Sequence, residues 1–425
     1  MKLNYRRTFF IGLAFMSISA FWQLYDSVIP LILKNTFGIG DTIAGGIMAL
    51  DNILALFMLP LFGALSDKVN TNIGKRMLFI LVGTAAAVVS MVLIPVADNL
   101  VNLPLFVVML LFALVAMSTY RSPAVALMPD GTPKPLRSQA NGVINLMGAL
   151  GAVFSLALIA SLIPDTGIPN YVPIFSIVAA SMVLAVVVLF FTIKENKIAK
   201  EMKAYETLDD VESEKGQASG KMSPAVRRSF WLILVSIFFW FFSYNAVTTA
   251  FSKYVQSYLG VAGGGFANSL MLATGAAVIA FVPAGMIAAK IGRKRTILSG
   301  ITILAVSFAL ASLFTTFSSL LNVLLVFVGF GWAAINVNSY PMVVEMAQGS
   351  DIGKYTGYYY TASMSAQILT PVLSGFFLEF VGYRTLFPYA AVFMVVAFIT
   401  MSQVKHGDSR VTPPKSKLEL LDVGD

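Results

Sequence analysis

The sequence predicts an all-α membrane protein with twelve transmembrane helices arranged as two six-helix pseudo-repeats. The 425-residue chain is 57% hydrophobic and 12% charged, with a mean hydropathy of +0.80, whereas a water-soluble domain carries about 25% charged residues. Twelve apolar runs, each long enough to cross a hydrocarbon layer of about 30 Å, are separated by short polar breaks. The segment Pro123-Ala-Val-Ala-Leu-Met128 recurs 218 residues later as Pro341-Met-Val-Val-Glu-Met346. A repeat of this period indicates two parallel copies of one bundle with a pathway between them.

The first apolar run is expected to be a transmembrane helix and not a secretory signal. It follows Lys2, Arg6 and Arg7 and continues to about residue 33 without a small-residue cleavage site. The predicted spans are 8–33, 42–65, 77–97, 104–127, 138–163, 171–194, 228–257, 266–289, 296–316, 320–345, 354–378 and 383–404.

A polar segment divides these spans into six and six. Residues 195–227 are rich in Lys, Glu, Asp, Ser and Gly and carry an acidic cluster between residues 206 and 214, a composition typical of a solvated linker. We therefore expect an N-terminal six-helix bundle at 1–194, a cytoplasmic linker at 195–227, a C-terminal six-helix bundle at 228–404 and a cytoplasmic tail at 405–425.

The distribution of positive charge predicts the topology. Of the 29 Lys and Arg residues, the predicted spans place Lys34, Lys253 and Arg384 outside and Arg121 within the membrane, which leaves 25 on one side. This asymmetry predicts that both termini are cytoplasmic in a multi-pass protein of the cell membrane. We therefore expect the positive net charge of +8 to lie against the headgroups of the lipid bilayer, and it does not indicate a nucleic-acid partner. We expect Lys253 to snorkel to the outer surface.

The residue types in the chain disfavour an enzyme. The sequence has no cysteine and its single histidine, His406, lies in the tail, so we expect no metal site and no cofactor. A loop with Gly-Lys-Ser or Gly-Lys-Thr, which nucleotide hydrolysis would need, does not occur. A non-transporting membrane sensor is a less favoured alternative, because no signalling domain is appended.

The loop after the second span of each half combines glycines with a basic cluster. The first loop also carries an acid, and Glu345 ends the tenth span, where it could form a charge pair with a cytoplasmic Lys or Arg. Glycines permit close helix approach and a tight turn, and basic residues stay at the lipid headgroups. The candidate gating residues in these loops are Gly63, Asp67, Gly74, Lys75, Arg76, Gly285, Gly292 and Arg293.

These loops resemble the signature of the major facilitator superfamily, and the resemblance covers the whole chain. The second copy lacks the acid, with Ala289 or Lys290 near its place. The segments 120–130 and 338–341, Tyr-Arg-Ser-Pro-Ala-Val-Ala-Leu-Met-Pro-Asp and Asn-Ser-Tyr-Pro, resemble sucrose-transporter-like carriers and glycoside–cation symporters. The resemblance implies proton-coupled uptake of a sugar or glycoside by alternating access, with helices one, four, seven and ten lining the cavity. A functional monomer is expected.

Charged residues inside the predicted spans are the candidates for ion coupling. An arginine near the centre of a bilayer costs at least about 2.5–3.5 kcal/mol, so Arg121 is expected to face a cavity or a partner. Asp26 and Asp51 are the carboxylates placed within the hydrocarbon layer, and Asp130 lies at the end of span four. An Asp that shares an Arg with solute can gain or lose a proton as the site fills. Alternatively, Asp26 or Asp51 forms a static pair with Arg121, Asp130 caps a turn, or sodium replaces the proton.

Aromatic and amide side chains are the candidates for solute binding. A sugar needs an aromatic face for its C–H surface and polar groups for its hydroxyls. The competing function is a proton-coupled exporter of hydrophobic compounds, which would need fewer amides. The predicted solute-binding residues are Trp22, Gln23, Tyr25, Asn141, Asn145, Tyr244, Asn245, Trp332, Asn336, Asn338, Tyr358 and Gln367.

Overall fold

The computed structural model describes residues 3–133, 136–167, 169–209, 223–346 and 352–408, which form helices joined by turns and loops. In these residues twelve helices are long and apolar enough to cross a membrane, which confirms the predicted fold class. The helices are α1 Tyr5–Asn35, α2 Asp41–Lys68, α3 Met77–Asn99, α4 Leu103–Asp130, α5 Arg137–Leu162, α6 Val172–Thr192, α7 Glu195–Asp209, α8 Pro224–Ser257, α9 Phe266–Ile291, α10 Arg293–Ala311, α11 Ser319–Glu345, α12 Ile352–Phe380 and α13 Leu386–Ser402, with a 3₁₀ turn at Tyr383–Thr385.

Local sequence signals set where several helices begin. The side-chain oxygen of Asn102 accepts a hydrogen bond from the backbone N–H of Leu105, and proline follows in the first turn of α4. Ser223 caps α8 in the same way through the N–H of Val226, again with proline in the first turn. Such caps satisfy N–H groups that a helix start leaves without partners.

The helices divide into two compact units, and α2 belongs to both. The first unit contains Met1–Gly38 and Leu50–Glu214, and the second contains Ile39–Ala49 and Lys215–Asp425. The first part of α2 therefore packs within the second unit, although the rest of that helix belongs to the first. The sequence did not predict that α2 would be divided between the two units.

In the first unit α1 packs on α5 and α3 packs on α4. A Cβ added to Gly151 of α5 would lie 1.9 Å from the carbonyl oxygen of Met16 on α1. The hydroxyl of Ser155, one turn later, donates to the carbonyl oxygen of Ala20 at 2.6 Å. Gly151 thus lets the two backbones approach closely, and Ser155 links α5 to α1 by a hydrogen bond. Both features are typical of helix contacts in membranes.

The second unit also contains a close helix contact made by small residues. Its helix α11 packs against α9 and α10. Gly300 of α10 and Gly331 of α11 face each other, since a Cβ on either would lie 2.6 or 2.8 Å from the other's carbonyl oxygen. Glycine pairs of this kind fix the separation of the helices that carry the candidate site residues.

The main difference from the predicted elements lies after the sixth span. The predicted linker begins with α7, Glu195–Asp209, and α8 starts at Pro224, a few residues before the predicted span. Residues 210–222 lie outside the described residues. Several transmembrane helices extend beyond the predicted limits because their polar ends remain helical outside the apolar stretch.

We expect Gly151→Ala to destabilise the protein, because its new methyl group would overlap the Met16 carbonyl. Overpacking of this kind costs about 1–3 kcal/mol. Gly275→Ala is the matched control, since a Cβ at this helical glycine has no neighbour within 4 Å. Thermal unfolding of the purified protein in detergent should show a lower Tm for Gly151→Ala alone. Equal Tm values for the two variants would contradict the close contact.

Candidate functional site

The first unit gathers the charged candidates of the membrane-spanning helices. Asp26 on α1, Asp51 on α2 and Arg121 on α4 are all partly buried. Asp51 lies within electrostatic range of both Asp26 and Arg121. Its Oδ1 atom accepts hydrogen bonds from the backbone N–H and the side-chain amide of Asn52, at 2.5 and 2.7 Å. The structure therefore brings together the three ionisable side chains that the sequence singled out.

No direct ion pair joins these three groups. Among the residues that the structure describes, no oxygen of an Asp or Glu lies within 4.0 Å of a guanidinium nitrogen of Arg121. The static pair considered above, in which Asp26 or Asp51 neutralises Arg121, is thus not formed in this structure. Arg121 instead lies beside the ring of Trp22, with its Cζ atom 6.0 Å from the ring centroid.

Aromatic and amide side chains of α1 and α5 complete this part of the first unit. Trp22 packs edge-to-face on Tyr25, with ring centroids 5.5 Å apart. Gln23 donates to the hydroxyl of Ser27 at 3.0 Å. The remaining predicted solute-binding residues of this unit, Asn141 and Asn145, are partly buried on α5.

In the second unit the described candidate residues are aromatic and amide side chains. The ring of Tyr244 on α8 stacks on Trp332 of α11, with centroids 3.7 Å apart and an angle of 4° between the planes. Phe241 packs edge-on against the same tryptophan at 5.2 Å. Asn336 follows Trp332 by four residues and therefore lies on the same face of α11. The predicted pairing of aromatic and amide residues is thus assembled on two neighbouring helices.

The amides of this unit bond to their own helices through their nitrogen atoms. The Nδ2 atom of Asn245 donates to the carbonyl oxygen of Phe241 at 2.8 Å, and that of Asn338 donates to Ala334 at 2.9 Å. Gln367 makes a similar, longer contact with Ser363 at 3.4 Å. Within the described part of the chain, the Oδ1 atoms of Asn245 and Asn338 accept no hydrogen bond. Each of these two amides therefore offers its side-chain oxygen as an acceptor, and its nitrogen carries a second N–H that can donate.

Two predicted site residues lie apart from these groups. Tyr358 packs on Phe230 and Trp231, and Phe230 precedes Tyr244 by 14 residues on α8, which is about 21 Å along a helix. Asp130 ends α4, nine residues after Arg121, and its carboxylate contacts the loop between α2 and α3. Tyr358 is therefore not part of the aromatic stack, and Asp130 is not part of the Asp26 and Asp51 group.

The loop between α2 and α3 is organised by Arg76, which is almost fully buried. Its guanidinium donates to the carboxylates of Asp67 and Asp130, to the hydroxyl of Ser66 and to the carbonyl oxygen of Gly63. The ammonium of Lys75 lies 3.1 Å from Asp130 and 3.6 Å from Asp67. In this loop the predicted gating residues Asp67, Lys75 and Arg76 thus form one network with Asp130, in which two cations face two carboxylates.

The sequence did not reveal that Glu195 closes this loop. The carboxylate of Glu195, at the start of α7, accepts hydrogen bonds from the backbone N–H groups of Lys75, Arg76 and Met77, at 2.9–3.1 Å. A Cβ on Gly74 would lie 2.1 Å from the same carboxylate, and Gly74 has φ +123°. Glu195 therefore caps α3 from a distant part of the chain, where negative charge also favours the helix dipole.

The loop between α9 and α10 in the second unit has the same two features, a charge pair and a carboxylate that accepts from the start of a helix. The guanidinium of Arg293 donates to Glu345, which is the charge pair anticipated for Glu345. The carboxylate of Asp408, beyond α13, accepts from the backbone N–H of Lys294 at 3.1 Å. A Cβ on Gly292, which has φ +97°, would lie 3.0 Å from Asp408. Gly285 is buried on α9 and contributes no polar side chain.

Lys253 does not snorkel, and that prediction was wrong. Its side chain is 6% exposed, and its ammonium lies 2.7 Å from Oδ1 of Asp41, whose side chain is 8% exposed. The other oxygen of Asp41 accepts a hydrogen bond from the hydroxyl of Tyr383 at 2.5 Å. The carboxylate offers the lysine a buried partner, and this removes the need to reach the surface.

Comparison with known proteins identifies relatives by family, sequence and structure. A family model described as Major Facilitator Superfamily matches residues 11–282 and 265–420. The "MFS-type transporter ppzB" of Metarhizium rileyi (strain RCEF 4871) is 31% identical over 131 residues, which is 30% of this chain and 27% of that protein. The protein of the same name from Metarhizium majus (strain ARSEF 297) is 30% identical over 122 residues, 29% of this chain and 26% of its own length. The aligned part thus spans about a quarter of these curated relatives.

Two solved structures share the fold over nearly the whole chain. The nucleoside transporter NupG superposes with a TM-score of 0.69 at 13% identity, covering 94% of this chain and 100% of that one. The human organic anion transporter MFSD10 (TETRAN) gives a TM-score of 0.60 at 18% identity with the same coverage. Identities this low establish the common fold and carry no information about the solute.

We expect Glu195→Ala to loosen the start of α3, because three backbone N–H groups would lose their acceptor. Leaving such donors unsatisfied costs about 1–3 kcal/mol, so amide hydrogen exchange at residues 75–77 should accelerate about tenfold or more. Glu201→Ala is the control, because Glu201 makes an exposed contact with Arg7 and caps nothing. Equal exchange rates at residues 75–77 in both variants would refute the capping role.

Proposed function

The chain belongs to the Major Facilitator Superfamily, and from this premise we propose that it takes up a sugar or glycoside together with protons. It is a multi-pass membrane protein of a family of transporters. We propose that the bundles at 1–194 and 228–404 move against each other in alternating access, joined by the linker at 195–227. We further propose the cell membrane as its location, with both termini in the cytoplasm and the monomer as the functional form.

The observation that carries this proposal is the stack of Tyr244 on Trp332 in the second unit. Aromatic faces bind the C–H surface of sugar rings, and nearby polar groups select their hydroxyls. The side-chain oxygens of Asn245 and Asn338 are available as acceptors, as described above. A solute rich in hydroxyl donors and with an apolar face fits these chemical requirements.

We assign the coupling of solute movement to protons to charged side chains of the first unit. Arg121 has no carboxylate within ion-pair distance in the described residues, and Asp26 and Asp51 lie in its neighbourhood. We propose that one of these aspartates exchanges a proton as the solute enters or leaves. One proton moving inward yields about 2.3 kcal/mol per 100 mV, enough to concentrate a neutral sugar about fiftyfold.

A second candidate solute follows from the same arginine. A guanidinium without a carboxylate partner suits an acidic solute, because Arg forms bidentate hydrogen bonds with carboxylates. An acidic sugar or another organic anion is therefore the alternative to a neutral glycoside, and export of hydrophobic compounds is the alternative to uptake.

Transport by the purified protein in liposomes tests these assignments. Labelled neutral sugars, acidic sugars and nucleosides would be supplied outside, with an imposed inward proton gradient or, separately, a sodium gradient. The proposal expects uphill accumulation of a sugar that a protonophore abolishes. Accumulation driven by sodium alone would overturn the choice of ion. Failure of every sugar, together with movement of an amphipathic cation against the protons, would overturn uptake in favour of export.

We expect the aspartate that carries the proton to be identified by Asp26→Asn and Asp51→Asn. The amide cannot bind and release a proton, so the responsible variant should lose uphill accumulation and retain solute exchange across the liposome membrane. Asp165→Asn, at an exposed loop residue, is the control and should accumulate solute normally. Unchanged uphill uptake in both variants would remove these carboxylates from the mechanism.

We expect Trp332→Ala to weaken solute binding, because the variant removes one ring of the stack. Stacking of a nucleobase on an aromatic side chain is worth about 1–3 kcal/mol. We expect a contribution of the same order for a sugar ring, so KM should rise about tenfold or more while expression is retained. Trp231→Ala is matched in size, and Trp231 is 54% exposed. Similar KM values for the two variants would exclude the stack from the solute site.

A further inference from the structure

The helix that carries Arg121 is anchored to α1 by the residue before the arginine. The hydroxyl of Tyr120 donates to the carbonyl oxygen of Ala14 at 3.1 Å and lies 2.7 Å from the hydroxyl oxygen of Ser17. Tyr120 and Ala14 are 0% exposed, and Ser17 is 1% exposed. A hydrogen bond is electrostatically stronger in such buried surroundings than in water, so this contact fixes α4 against α1 at the level of Arg121.

The residue after Arg121 anchors the same helix to α2. The hydroxyl of Ser122 donates to the carbonyl oxygen of Leu59 at 2.7 Å. A Cβ on Gly63 of α2 would lie 3.1 Å from that hydroxyl oxygen, so the glycine leaves the space that Ser122 uses. Successive residues of an α-helix point about 100° apart. Tyr120 and Ser122 therefore contact neighbours on different sides of α4, and Arg121 projects between them.

Backbone contact with α3 adds a third constraint at the same level. A Cβ on Gly83 would lie 2.7 Å from the backbone nitrogen of Tyr120 and 3.0 Å from its Cα atom, so the backbones of α3 and α4 approach closely here. Pro123, inside α4, has no N–H to donate to the carbonyl oxygen of Thr119. This part of α4 lacks one hydrogen bond of its own and depends on its neighbours to hold residues 120–122.

The position of α4 decides which group Arg121 meets. Its guanidinium lies beside the ring of Trp22, with the Cζ atom 6.0 Å from the ring centroid. In the described part of the chain no carboxylate lies within 4.0 Å of it. Asp51 is nevertheless in electrostatic range, and opposite charges attract strongly where the dielectric constant is low. A long arginine side chain on a helix that could turn freely would close that distance.

We propose that Tyr120 and Ser122 are positioning residues for Arg121. They hold α4 so that the guanidinium stays beside the ring of Trp22 and does not close on the carboxylate of Asp51. A guanidinium held in this way keeps its hydrogen-bond donors for a solute. The inference rests on the proposed function for this last step, because Arg121 belongs to the group that we assign to coupling there. The position of the side chain itself is independent of which solute or ion is moved.

Fluorine NMR of the full chain in nanodiscs reads the position of Arg121 from the tryptophan beside it. The chain has four tryptophans, so incorporation of fluorotryptophan gives four resonances, which are assigned by replacing each tryptophan with phenylalanine in turn. The Trp22 resonance reports on the guanidinium. The Trp240 resonance, from a side chain of α8 that is 0% exposed, reports on general loosening. Arg121→Gln supplies the reference position of the Trp22 resonance without the cation.

Four variants separate positioning from packing. The two anchor variants are Tyr120→Phe, which removes the hydroxyl and keeps the ring, and Ser122→Ala. Ser122→Thr is the conservative variant, because it keeps the hydroxyl donor. Ser118→Ala is the matched control, since Ser118 lies one turn before Ser122 and its hydroxyl donates to the carbonyl oxygen of Leu114 in its own helix at 3.0 Å. Each anchor variant is also combined with Arg121→Gln.

We expect each anchor variant to move the Trp22 resonance towards its position in Arg121→Gln. The control and the conservative variant should leave it at the parent position, and the Trp240 resonance should stay in place throughout. In the Arg121→Gln background the anchor variants should add no further shift, because an effect that passes through the arginine is lost with it.

An unmoved Trp22 resonance in both anchor variants would overturn the proposal. An equal shift in the control, a shift of Trp240 as well, or a shift that persists in full in the Arg121→Gln background would also overturn it, because each shows an effect that does not pass through the arginine. An unchanged Trp22 resonance in Arg121→Gln itself would overturn it by showing that the two side chains are not in contact. No solute is present, so failure of the sugar proposal would leave these outcomes unaffected.

Discussion

A charge among apolar helices needs a partner, and this constraint explains most of the polar architecture of the protein. Water and counter-ions are absent from a hydrocarbon layer, so an unpaired cation there is costly. Lys253, inside a transmembrane helix, and Arg76 and Arg293, at the helix ends, each meet a carboxylate directly. Arg121 differs from these three, because in the described residues it lies beside an aromatic ring and has no carboxylate within ion-pair distance. We propose that a transported solute or a moving proton balances its charge.

The same constraint shapes the two loops that follow α2 and α9. Each loop ends in a glycine with positive φ, Gly74 or Gly292, directly before a helix start that exposes N–H groups. A carboxylate from the segment after the sixth helix of each half, Glu195 or Asp408, accepts one or more of those N–H groups. Glycine is needed twice over, because its φ is positive and because a Cβ would collide with the carboxylate. The structure of each loop therefore depends on a carboxylate that is far away in sequence.

The sequence predicted the helices well and their pairings poorly. Long apolar stretches, basic ends and the 218-residue repeat are local or periodic signals, and they were sufficient for the twelve spans and for the family. The pairing of Lys253 with Asp41 joins residues 212 apart, and no periodicity records it. Reading Lys253 as a snorkelling residue was reasonable for one helix in lipid, but a neighbouring helix supplied a carboxylate. The capping role of Glu195 was hidden for the same reason, since it lay in a segment that looked like a linker.

The two halves share the residues that cap and turn their helix ends, but they differ in the side chains at the helix centres. The difference has a physical reason. Any copy of the bundle must satisfy the first N–H groups of its helices and must turn tightly between them, so both halves keep glycine, a cation and an acceptor at those places. The centre has no such requirement, because its backbone groups bond within the helix. At the position equivalent to Arg121 the second half has Ser339, whose hydroxyl contacts Tyr359 at 3.2 Å. The two halves therefore differ in charge at this position, and the proposed ion coupling in the first half rests on that difference.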